Sequence, residues 1–272
     1  LAASVLPDPF DVLEATLGPA ARAVQLDAVR VVRVTGRTDH APGNAVHHHE
    51  GLAGEHLPAA LDELDHRFPT GQARLVAPHD AGLAVAAGGR KDLHVCVIEV
   101  LLGEESTESR PQRGDLRLSA PGDDRAWHGI TVLHRHAGPP QQDRARGAQD
   151  DRLRWWVDGL RQSVEHGRAR VLRAERFGTP VGVAALHWAP GVAVAGDHAG
   201  LAVIADVVVH PAHRNLGIAR TLVGALVAQH LIDFPRARIA GLVEVPLTCG
   251  PPTAPTGFAP HARLLAVRRV AR

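Results

Sequence analysis

Apolar positions recur along the chain with two periods, and the changes between them outline the elements. Asp8 to Leu17 places Phe10, Leu13 and Leu17 on one side of a short helix that Gly18-Pro19 stops. Val24 to Val34 reads as a strand, Thr38 to Asn44 as a turn, and Ala45 to His49 as a second strand. Leu57, Leu61, Leu64 and Phe68 mark a helix from Leu57 to Phe68. A strand from Ala73 to Ala77, a small-residue helix from Ala81 to Ala87 and a strand from Leu93 to Leu102 follow. The stretch Gly103 to Gly122 is polar, charged and interrupted by proline, so a domain boundary is expected near Gln112, with a short strand at Leu116 to Leu118. The resulting domains are residues 1–112 and 113–272.

The second half opens with a helix that Asp123 or Asp124 can cap, carrying Trp127, Ile130, Leu133 and His134. After a polar loop from Pro139 to Gly147, Asp150 to His166 carries Leu153, Trp156, Val157, Leu160 and Val164 at helical spacing, with Gly167 as the stop. Arg170 to Arg176 and Val181 to Trp188 are strands joined by the turn Phe177 to Pro180. Leu201 to Val209 is an apolar strand, Ile218, Leu222, Ala225, Leu226 and Gln229 set a helical rhythm, and Arg238 to Val245 and Ala262 to Val270 are strands either side of a proline-rich link from Pro246 to Thr256. The pattern predicts an α/β (α+β) protein with a mixed central sheet flanked by helices.

Composition narrows this picture. The chain has 272 residues and 45% hydrophobic residues, but only 3% aromatics and neither Tyr nor Met, so its cores rest on Val, Leu, Ala and Ile. The 30 basic and 29 acidic residues nearly cancel, which argues against a nucleic-acid partner. The 18 histidines make its charge sensitive to pH near neutrality. Cys96 and Cys249 are far apart and fit buried thiols in a reducing compartment. No segment reaches the roughly 18 apolar residues of a membrane span, and no secretory pattern opens the chain, so no membrane partner and a cytoplasmic location are expected. A monomer or homodimer is expected.

The richest stretch for chemistry is Leu201 to His230. Pro211 cannot continue a strand ladder, so the chain turns at His210-Pro211 and then starts a helix. The N–H groups at a helix start lack partners and lie at the positive end of the helix dipole, which suits phosphate. Gly217 lets the backbone approach a ligand closely, and Ala219 keeps the position after next small. The motif Arg214-Asn215-Leu216-Gly217-Ile218-Ala219, after a strand ending in Val-His-Pro and before an amphipathic helix, resembles the acyl-coenzyme A pyrophosphate loop of the GCN5-related N-acetyltransferases. The element order over residues 113–272 resembles the same family. Ala73 to Val76, Gly88-Gly89 and the strand after them parallel Ala237 to Ala240, Gly257-Phe258 and the closing strand. The first half therefore resembles a degenerate copy of the second, without an RxxGxA between Asn44 and Ala73, as in tandem acetyltransferases; two unrelated α/β pieces are the alternative.

The resemblance implies an acetyl-coenzyme A-dependent N-acetyltransferase that moves an acetyl group to an amine, on a small molecule or peptide, by direct transfer in a ternary complex. It also implies that Val207, Val208 and Val209 meet the pantetheine arm, and that Arg214 to Ala219, with Arg220 beside them, hold the pyrophosphate. Asp206 interrupts an apolar strand just before the loop and is the first candidate for the base; Glu244, on the next strand, is the other. The position where relatives carry the Tyr that protonates the thiolate holds Thr253 here. His210, His261 or water must then supply that proton, or the protein is a non-catalytic coenzyme A-binding or ligand-sensing module. His47-His48-His49, and His210 with His213, invite a metal, but adjacent strand residues face opposite ways and no Cys or carboxylate cluster completes a site, so no metal is expected. Trp156 is expected in the core, with Trp155 half exposed or lining the acceptor cleft.

Overall fold

The computed structural model describes residues 8–17, 21–34, 44–69, 72–103, 115–137, 146–188, 200–235, 237–247 and 258–270. In chain order the elements are α1 (Pro9–Ala15), β1 (Ala21–Leu26), β2 (Val29–Val34), β3 (Ala45–His48), α2 (Leu57–Arg67), β4 (Arg74–Pro78), α3 (Ala81–Gly88) and β5 (Leu93–Gly103). Then come β6 (Leu116–Ser119), α4 (Asp124–Ala137), α5 (Arg146–Glu165), β7 (Ala169–Arg176), β8 (Thr179–Trp188), β9 (Leu201–Val209), α6 (Ile218–Asp233), β10 (Arg238–Pro246) and β11 (Phe258–Arg269). Mixed sheets flanked by helices result, in agreement with the fold class read from the pattern. Among the described residues, no helix is long and apolar enough to cross a membrane.

The chain forms two compact units: Leu1–Leu102 with Leu242–Ala254 and Ala259–Arg272, and Gly103–Gly241 with Pro255–Phe258. A single cut near Gln112 does not reproduce this division. In the first unit β11 pairs antiparallel with β4, with Leu264 opposite Pro78 and Val267 opposite Leu75. Leu265 and Val267 then share a core with Leu57, Leu61 and Leu64 of α2 and with Leu75 and Ala77 of β4. The closing strand therefore belongs with residues almost two hundred positions earlier, a pairing that no local pattern announces. Gln112 itself lies outside the described residues.

A second difference is local. The strand expected over Val24 to Val34 is a hairpin, β1 on β2, turned at Asp27-Ala28 with Asp27 at φ 47°. Only two residues intervene, so the apolar alternation carries on across the turn and conceals it.

The same pairing sequence occurs once in each unit. The strands β1, β2 and β3 pair antiparallel in turn, and β3 pairs parallel with β4 after the crossover α2. Likewise β7, β8 and β9 pair antiparallel, and β9 pairs parallel with β10 after α6. The second unit's core packs Trp127, Ile130 and Leu133 of α4 and Val157 and Leu160 of α5 against Val171, Val183 and Ala185 of the strands. Each such aliphatic side chain contributes about 1.5–3 kcal/mol by leaving water. Asp123 caps α4, accepting a bond from the Ala126 amide at 2.7 Å, as the residue pattern requires.

Candidate functional site

The site is organised by a defect in β9. Its ladder with β8 pairs Ala205 with Ala185 and Val208 with Val183, so Asp206 and Val207 together face Ala184. This is a β-bulge, and Asp206 takes the left-handed conformation, φ 57°, that absorbs the extra residue. On its other edge β9 pairs with β10 only from Leu201–Arg238 to Ile204–Gly241 among the described residues. From Ala205 to Val209 that edge carries no ladder among the described residues, which leaves it open to an extended ligand.

Beyond β9 the chain makes one 3-10 turn, Pro211–His213, and enters α6 through two left-handed residues, Asn215 (φ 63°) and Gly217 (φ 77°). Gly217 is the N-cap of α6, and no side chain caps the helix. A Cβ built on Gly217 meets no atom within 4 Å, so the backbone borders open space. Arg214 is anchored by bonds from its guanidinium to the carbonyls of Val209, 3.4 Å, and Ala137, 3.2 Å. The uncapped start of α6 is the end of a helix that favours an anion. Ile218 is buried and fixes the helix start, whereas Arg214, Asn215, Gly217 and Arg220 are exposed and Leu216 and Ala219 are half-buried.

The candidate base does not stand alone. The Asp206 carboxylate lies 3.4 Å from Nε2 of His187, whose side chain is 6% exposed. On α4, His134 packs its ring 4.4 Å from that of Trp156 and has Nε2 buried without a partner. Burial holds the His134 imidazole below its ordinary pKa, against the opposing pull of the Asp206 charge, so the ring is neutral near neutral pH. Asp206, His134 and His187 are thus a carboxylate and two imidazoles converging just before the loop. The sequence reading missed both histidines. Their signal is a histidine inside an otherwise apolar stripe, at Ile130-Leu133-His134 on a helix and at Ala185-Leu186-His187 on a strand.

Other expected residues find different surroundings. His210 accepts the Ala212 amide at Nδ1, 3.3 Å, and its ring lies 5.7 Å from those of His136 and His213. Partial burial and these neighbours, with Arg214, lower its pKa. A neutral imidazole that shapes its own turn is a poor proton donor to a thiolate. Glu244 belongs to the first unit, where it bonds Arg74 at 3.2 Å and accepts from Cys96 Sγ at 3.0 Å. Arg74 is 6% exposed, so Glu244 balances a buried cation rather than standing free as a base. Cys96 is a buried free thiol whose pKa burial and Glu244 push up to about 12, which leaves it unreactive. Trp156 is half-buried against the second core, as its spacing indicates. Cys249, Thr253 and Gly257 lie outside the described residues. An open cleft of about 560 Å³ runs between α4 and the β7–β8 turn, lined by Asp123, His128, His136, Arg173, Glu175 and His210.

Comparison with known proteins bears on this geometry. The acetyltransferase (GNAT) family model matches residues 128–243, which contain the bulged strand, the loop, α6 and both histidines. No curated protein matches the sequence. Among solved structures, a GCN5-related N-acetyltransferase from Kribbella flavida superposes with a TM-score of 0.60 at 15% identity, covering 99% of this chain and 98% of its own. A functionally unknown conserved protein from Staphylococcus epidermidis gives 0.66 at 12% identity, covering 92% and 94%. A tandem GNAT protein from the clavulanic acid biosynthesis pathway gives 0.51 at 16% identity, covering 92% and 83%. At these identities the likeness is one of fold. Together with the sequence match it makes residues 128–243 of this chain similar to a GNAT-family acetyltransferase domain.

Proposed function

We propose that the chain is an acetyl-coenzyme A-dependent N-acetyltransferase acting on an amine by direct transfer in a ternary complex. The observation that carries this reading is the uncapped start of α6, with Gly217 bordering open space, directly after a strand whose edge from Ala205 to Val209 has no ladder partner among the described residues. In this reading the amides of residues 215–220 and the Arg214 guanidinium hold the pyrophosphate, and Val207 to Val209 pair with the pantetheine arm. Coenzyme A supplies the activated acetyl group as a thioester.

The protein's own groups then handle one proton. The acceptor amine attacks the thioester carbonyl, the C–N bond forms and the C–S bond breaks. Asp206, with neutral His134 beside it, takes the proton the amine loses, and that proton leaves on the thiol of coenzyme A, so charge balances without a tyrosine. Glu244 is left out of this set because it neutralises Arg74, and His210 because it caps its own turn. The absence of Tyr from the whole sequence favours a second reading, a coenzyme A-binding module without turnover. The degenerate character of the first unit, a GNAT-like half without the phosphate loop, belongs to the same proposal.

Calorimetric titration of the full chain with acetyl-coenzyme A, followed by a thiol-release assay on a panel of amines, tests both. Binding with thiol release supports the enzyme, binding without release on any amine supports the module, and no binding at high micromolar cofactor overturns both. Gly217→Asp puts bulk and negative charge at the phosphate position on a φ that an L-residue resists, and binding should weaken by roughly a hundredfold or more. Unchanged affinity would show that the loop holds no pyrophosphate.

A further inference from the structure

In the first unit, β3 occupies the place in the pairing sequence that β9 holds in the second, but it ends in histidines instead of an RxxGxA loop. His47 lies on β3 and His49 in the turn just after the strand ends, with their ring centroids 6.4 Å apart. The carboxylate that the sequence does not place beside them comes from α1. Glu14 Oε1 lies 3.0 Å from His47 Nδ1, and one ligand atom from each of Glu14, His47 and His49 lies within 4.8 Å of the others. Asp8, which caps α1 with Oδ1, has Oδ2 3.5 Å from His49 Nδ1.

We propose that Glu14, His47 and His49 form a binding site for a divalent transition-metal ion of the zinc class, with Asp8 placed to complete the coordination.

Two imidazoles and a carboxylate are the donor set that suits zinc, and donor atoms around that ion lie roughly 3–3.5 Å apart. His47 Nδ1 and Glu14 Oε1 already meet this spacing at 3.0 Å. The third donor, on His49, lies within 4.8 Å of the other two, on a side chain that is 19% exposed. The rest of the surroundings are those of an ordered site. His47 is 1% exposed, the Phe10 ring lies 5.2 Å and 4.1 Å from the two imidazoles, and Nε2 of both rings has no partner in the protein. Arg30 donates to Glu14 Oε1 at 3.1 Å and to Asp11 at 3.1 Å, which fixes the Glu14 carboxylate in place; Glu14 Oε2 is the second oxygen available to an ion. The ion takes over from the proton between His47 and Glu14 and pins α1 to β3. Such a site is independent of the transferase reading.

The test is titration of the chelator-stripped full chain with zinc chloride, read by calorimetry, with cobalt(II) and its visible absorption bands as the coordination probe. One site per chain is expected, with affinity falling about tenfold or more in His49→Gln and in Glu14→Gln while far-UV circular dichroism stays unchanged. His56→Gln, on a side chain 69% exposed, should leave binding as it is, which separates the site from the many surface histidines. Should Glu14→Gln fail to fold, His49→Gln carries the comparison alone. No single-site binding, or equal affinity in His49→Gln and the unaltered chain, overturns the proposal and leaves a hydrogen-bonded cluster only.

Discussion

Asp206 combines two properties that a strand residue rarely has together: a left-handed backbone at a bulge and a carboxylate 3.4 Å from a buried imidazole. The bulge turns it out of the ladder, which is why its side chain is 28% exposed while its neighbours on the strand's inner face are buried. If it takes the amine's proton, Asp206→Asn should lower kcat by about 10²–10⁴-fold and leave acetyl-coenzyme A affinity in place, as separate kinetic and calorimetric measurements would read. Equal losses in binding and turnover would instead give it a purely structural part. His230 offers a stability test of a different kind. It is 1% exposed on α6, packed between Trp188 and Phe234, and burial together with Arg170 lowers its pKa to about 4 despite Asp233. Its ordinary value is near 6.5, so between pH 6.5 and 4 the unfolded chain binds the extra proton. The folded state is then favoured fully above pH 6.5 and loses roughly 2–3 kcal/mol as pH falls toward 4. Urea unfolding at pH 7 and pH 4.5 should show a smaller loss in His230→Phe than in the unaltered chain.

Among the elements, α6 matters most, because its start is the loop proposed to hold phosphate and its flank fixes where that loop lies. It rests on β8 at Gly182, where a Cβ would come within 2.9 Å of Ile218 Cγ2 and 3.0 Å of Leu222 Cδ1. Ile218 is β-branched and stiff, and it sits directly after Gly217, so it cannot yield without moving the loop. Gly182→Ala should therefore cost about 1–3 kcal/mol in urea unfolding and also weaken acetyl-coenzyme A binding. A variant with unaltered stability would mean that α6 and β8 have slack at this contact.

For the molecule as a whole, the decisive fact is that β11 and residues 242–247 of the chain's last third are built into the first unit. Leu264, Leu265, Ala266 and Val267 are each at most 2% exposed there, beside β4. A fragment of residues 113–272, the natural cut by composition, would lose β4 as a partner for β11 and expose this apolar strand as an open edge. It should aggregate or elute as a heterogeneous species in size-exclusion chromatography, whereas the full chain gives one species. A well-behaved fragment would mean that β11 finds another partner when β4 is missing.

Much of this was legible in the residues alone. Apolar periodicity marks the helices over Leu57–Arg67, Asp124–Ala137 and Ile218–Asp233 and the strands around them, because side-chain direction repeats every 3.6 or every two residues whatever the chain does elsewhere. Arg214, Gly217 and Ala219 marked the loop, since backbone conformation and amide exposure at a helix start are local properties. What remained hidden was everything made of residues distant in sequence. The hairpin at Asp27 kept the strand period, and the company of Asp206 came from α4 and β8. Glu244 became the counter-ion of Arg74, 170 positions earlier, and Glu14 met His47 from 33 positions away. The sequence determined local conformation, including the strand, turn and helix start around Gly217, because these follow from neighbouring residues. Only the tertiary structure decided which carboxylate is free, which is neutralised and which stands beside histidines, because burial and charge pairing depend on what the fold brings within a few ångströms.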